Sequence, residues 1–151
     1  MSRKYIPPMF RNQVAMATTG MHLAAASGRP EAFISLLNEH PQWIRFRDMN
    51  GRTPLATAMY YGKCNVIDAL FQCANLPDPT KREILGALGD HPLKIVEDGL
   101  RTRAIRGAVE FKKQRLVIQR KIFHMMVEYL GLKYARTHSG SLFAEMQASQ
   151  Y

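Results

Sequence analysis

Catalysis and ligand binding call for histidines, cysteines, carboxylates or cations at set spacings, and most of these are sparse here. The five histidines (22, 40, 91, 124 and 138) show no metal-ligand spacing with one another or with Cys64 and Cys73, so no zinc site is expected. Two cysteines cannot build a disulfide framework. On one helix, their separation of nine positions spans about 13 Å at about 1.5 Å each. A disulfide needs Cα atoms closer than about 7 Å. Both read as reduced, half-buried thiols suited to a cytosolic compartment. Asp78, Glu83 and Asp90 have no paired carboxylate in sequence. There is no P-loop, no dinucleotide fingerprint, no nucleophile elbow and no zincin motif. The expectation is a protein that is not an enzyme and holds no cofactor.

Cations are the exception. Residues 101–136 hold ten Lys or Arg against Glu110 and Glu128, a net charge of +8. Residues 12–100 hold eight basic and nine acidic side chains. Asymmetry of this kind speaks to partners rather than to fold. The segment has three readings: a solvated helix face, a docking face for an acidic protein, or a nucleic-acid site over 101–121. The docking face would comprise Arg103, Arg106, Lys112, Lys113, Arg115, Arg120 and Lys121. A run of Arg and Lys on a helix is the electrostatic footprint for phosphates. Only Phe111 interleaves those charges, whereas single-strand binders alternate cations with stacking aromatics.

These side chains belong to a chain of 151 residues, 46% hydrophobic and 22% charged. That length buries one core, and the composition argues against wholesale disorder. No apolar run approaches the roughly 18 residues of a membrane span; the densest, Ile122 to Val127, contains His124. Arg3, Lys4 and Arg11 are followed by no apolar stretch of the secretory type. A soluble, cytoplasmic protein is expected.

Self-similarity organises the chain. Thr19-Gly20-Met21-His22-Leu23-Ala24-Ala25-Ala26-Ser27-Gly28 aligns with Thr53-Pro54-Leu55-Ala56-Thr57-Ala58-Met59-Tyr60-Tyr61-Gly62 at an offset of 34. Each glycine precedes a second apolar segment, Ala32 to Leu37 and Val66 to Phe71. Every unit therefore reads as a short helix, a glycine turn and a second helix. Asn50-Gly51 is a turn signal, Thr53 can cap the next helix, and Pro54 fits its first position. Leu55, Ala58 and Met59 fall at i, i+3 and i+4 on one face.

This pattern resembles the ankyrin repeat, whose period is about 33 with a T-P-L-H-x-A signature. The resemblance covers about residues 15–74. It departs at Gly20, where the family has proline, and at Ala56, where it has histidine. Trp43 and Ile44 are expected to plug the seam at the intervening loop. His91-Pro92-Leu93 to Gly99 echoes a decayed third unit. Two repeats rarely suffice, because each buries its apolar face only against neighbours. A long helix over about 103–135 is the expected cap. The predicted architecture is all-α, a short ankyrin-like stack closed by a long C-terminal helix. Its parts are a flexible tail (1–12), repeats (13–100), a basic helical cap (101–136) and a second flexible tail (137–151).

The resemblance implies that His22 hydrogen-bonds within its own repeat rather than acting as a base. It also implies protein recognition by turn tips and first helices. Carried onto the second unit, the contact residues are Arg47, Met49, Asn50, Arg52, Tyr60 and Tyr61. Arg and Tyr are favoured in binding hot spots. The first unit offers only Ala15, Met16, Thr18, Ala26 and Ser27 there. Adaptors, inhibitors and effectors acting in a host cytoplasm are the roles that short proteins of this kind fill, with another protein as partner, an acidic one where the basic docking face takes part.

Overall fold

The computed structural model describes residues 18–89, 91–103 and 107–148. Its elements are all helical. Thr19 caps α1 (Gly20–Ser27) and completes a capping box with His22. The helix stops at Gly28, whose φ of 68° is the left-handed conformation that glycine adopts without strain. Pro30 then opens α2 (Pro30–Glu39) from its first position. A 3-10 turn over Pro41–Arg45 follows. It buries Ile44 and stacks Trp43 on His40 at 3.9 Å, so the intervening loop is plugged as expected.

The second unit comprises α3 (Pro54–Tyr60) and α4 (Cys64–Gln72). The Thr53 hydroxyl accepts from the Ala56 N–H at 3.2 Å, the cap read in the sequence. Next come α5 (Asp78–Gly86), α6 (Lys94–Thr102), α7 (Ala108–Leu130), α8 (Leu132–Thr137) and α9 (Leu142–Ala148).

Three helix pairs result: α1 with α2, α3 with α4, and α6 with α7. The leading helices α1, α3 and α6 stack in that order, and so do the following helices α2, α4 and α7. One core runs through all three pairs, from Met21 and Phe33 through Leu55 and Phe71 to Leu100 and Met126, each below 2% exposed. Among the described residues no helix is long and apolar enough to cross a membrane.

Three boundaries differ from expectation. The division at 100/101 falls inside α6, so the basic segment is not a separate cap; α7 is the second helix of the third pair. That helix is also shorter than 103–135. Positive-φ glycines flank it, Gly107 at 79° and Gly131 at 99°, and such backbone does not continue a helix. Residues 137–148 are not a loose tail: Ser139 and Leu142 are 3% and 2% exposed, and α9 packs on α7. Their periodicity was too short to show in sequence. The expected tail at 1–12 lies outside the described residues.

Candidate partner-binding surface

Asp48 builds the tip between the first two pairs. Its carboxylate accepts from the N–H groups of Asn50 and Arg52 at 2.9 and 3.0 Å, and its carbonyl from that of Gly51 at 2.9 Å. Gly51 supplies the positive φ of 75° that closes the turn. The loop is tied to α1 by His22, which is 2% exposed. The His22 Nδ1 accepts from the Thr19 N–H at 3.1 Å, leaving Nε2–H to donate to the Arg52 carbonyl at 2.8 Å. The imidazole thus acts as a strut between two units.

Of the predicted contact residues, Met49 is 84% exposed and Asn50 is also exposed. Arg47 donates to the carbonyls of Gly51 at 2.9 Å and Ala87 at 3.3 Å, fixing the tip against the chain after α5. Arg52 lies with its guanidinium 3.6 Å above the Tyr60 ring, a cation–π geometry. Tyr60 does not face a partner: it is 7% exposed, in the seam between the second and third pairs. Its carbonyl presses on Gly99, where an added Cβ would sit 1.7 Å away. Gly99 is therefore a close-approach residue inside α6, not the turn glycine that its place in the repeat suggested. Tyr61 is 40% exposed and meets the Tyr60 ring edge-on at 5.1 Å.

The basic residues separate into different environments. Arg103 donates to the Tyr60 carbonyl at 2.6 Å and lies 5.8 Å from the Tyr61 ring, so it joins the patch around Tyr61. Arg115 is turned inward, its side chain 11% exposed, between Glu97 at 3.8 Å and Glu145 at 3.0 Å. Arg120 is half-buried, whereas Lys112, Lys113 and Lys121 are exposed. Arg106 lies outside the described residues, as do Ala15 and Met16 of the first unit. Burial holds the Cys64 thiol above its ordinary range, against the opposing pull of Lys121. Among the described residues no three His, Cys, Asp or Glu converge as a metal site would require.

Sequence reasoning missed Leu23, 62% exposed beside the strut His22. Its signal was present: the apolar Leu23 stands where the aligned unit has Thr57. Also missed was the Glu97–Arg115–Glu145 cluster, which links α6, α7 and α9 and has no sequence signature. Compared with family models, curated proteins and solved structures, the chain matches none.

Proposed function

We propose that this chain is an ankyrin-like, non-enzymatic recognition protein that binds another protein through the surface around the Asp48–Arg52 tip. One observation carries the proposal: Met49, Tyr61 and Leu23 are large apolar side chains left in solvent, while Arg52 and Arg103 are held beside Tyr60 and Tyr61 by ring contacts. Rigid tyrosine and arginine next to exposed apolar surface is the composition of an interface centre. An acidic partner would complement the two guanidinium groups. Both cysteines are free thiols, which fits a cytoplasmic setting, in the host cell if the protein is an effector.

Nucleic-acid binding through the basic helix is the rival. Lys112, Lys113 and Lys121 favour it by their exposure, but the inward turn of Arg115 takes one of its strongest cations away. Affinity capture from the native host, read by mass spectrometry, separates the two. The Met49→Ala/Tyr61→Ala chain should lose the captured protein, and Lys112→Gln/Lys113→Gln/Lys121→Gln should keep it. Retention by the first variant, with salt-labile nucleic acid lost from the second, would overturn the proposal.

A further inference from the structure

The described chain ends on a helix that fills its seat incompletely. Leu142, the first residue of α9, is 2% exposed, and the Phe143 ring lies 5.9 Å from that of Phe123. Three residues after Leu142, Glu145 reaches Arg115 at 3.0 Å. The seat is built without α9: Gln119 donates to the Leu93 carbonyl and accepts from Arg115, each at 2.9 Å, and Glu97 stands 3.8 Å from the guanidinium. On the α6 side a cavity of about 360 Å³ remains between the helices, lined by Lys94, Glu97, Arg115, Gln119, Ser141 and Glu145. Lys94, on that rim, is exposed.

We infer that the groove between α6 and α7 is a docking site for an acidic amphipathic helix of another protein, and that α9 occupies it as an intramolecular stand-in. The occupant shows the chemistry accepted: a buried Leu142 with the carboxylate of Glu145 one turn on along the same face to meet Arg115, and Phe143 at the flank beside Phe123. Its seven residues are too few to be helical alone, since isolated helices below about 12 residues are marginal in water. Docking therefore holds α9, and Gly140, at a φ of 58°, gives its link to α8 a turn. A longer helix with a second acid would fill the cavity and pair with Lys94, two gains that α9 forgoes. Binding then proceeds by population shift, with the partner favouring the chain whose α9 is released.

The test uses the full chain carrying Leu142→Asp, which unseats α9 and leaves the groove intact. The probe is a fluorescein-labelled peptide of residues 138–148, followed by anisotropy. The variant should bind it saturably and about tenfold or more tighter than the unaltered chain does, and Glu145→Lys in the peptide should weaken binding about tenfold. In the unaltered chain, amides of 142–148 should exchange with deuterium about a hundredfold faster than those of Ile122 to Met126. Exchange as slow as in α7, or loss of cooperative unfolding in the variant, would make α9 part of the core and overturn the inference. A folded variant that ignores the peptide would do the same. An unaltered dimer that Leu142→Asp converts to monomer would assign the groove to a second copy instead.

Discussion

At the scale of single residues, two positions carry structural work that their residue types conceal. His22 spends both ring nitrogens on bonds to Thr19 and Arg52. His22→Ala leaves the buried Thr19 N–H without its partner and removes one of the two bonds to the Arg52 carbonyl, which keeps the Asp48 N–H at 2.9 Å. The change should cost about 1–3 kcal/mol. Urea denaturation measures this, and a neutral result would remove the strut. Gly99 matters for what it lacks. Gly99→Ala sets a methyl group against the Tyr60 carbonyl, and overpacking of this kind costs about 1–3 kcal/mol or more. Thermal melting should show the loss. Cys64 reacts as its surroundings dictate: burial raises its pKa, so less thiolate is present at any pH below that value than in a free cysteine. Alkylation of Cys64 between pH 7 and 9 should be slower than that of a model thiol, and faster alkylation would contradict the burial.

Elements depend on caps and on the partners they meet. Thr53 starts α3 through its hydroxyl, so Thr53→Ala should cost about 1 kcal/mol. Leu55, 1% exposed in the middle helix of the leading row, should cost about 2–5 kcal/mol as Leu55→Ala. Equilibrium denaturation of the two variants checks both, and a neutral Leu55→Ala would mean that α3 is not central. The α7 helix shows why charge counts mislead at this scale. Arg115 and Lys113 are two positions apart, yet one is enclosed by carboxylates and the other is exposed. A helix turns 3.6 residues per revolution, so neighbours in sequence face different environments.

Among the described residues, three helix pairs form a row in which each pair covers the flank of the one before, with α5, α8 and α9 set beside it. Because α6 and α7 form the last pair, ending the chain at residue 100 cuts through α6 and uncovers the flank of α4, including Phe71, which stacks on Tyr129 at 6.3 Å. Stacked units lose stability when a terminal neighbour is removed. The 1–100 fragment should aggregate or lose cooperative unfolding. Size-exclusion chromatography with circular dichroism decides this; a monomeric, cooperatively melting fragment would show that the first two pairs stand alone.

Local signals were sufficient for the helices of the first two pairs. Thr19, Gly28, Thr53, Pro54 and Gly62 act within a few residues, through caps and positive-φ turns, so their consequences are legible along the chain. The Asn50-Gly51 turn was legible for the same reason, whereas Met49 was placed among the contact residues only through the resemblance to the ankyrin repeat. Long-range packing decided the rest. Tyr60 became a seam residue and Gly99 a contact point because α6 lies against α3. Arg115 left the surface because Glu97 and Glu145 arrive from two other helices. Residues 142–148 took up a helix because α7 offers Leu142 a buried site. None of these partners lies within reach of a local pattern, since burial and ion pairing depend on which segments meet in space rather than on which residues are adjacent.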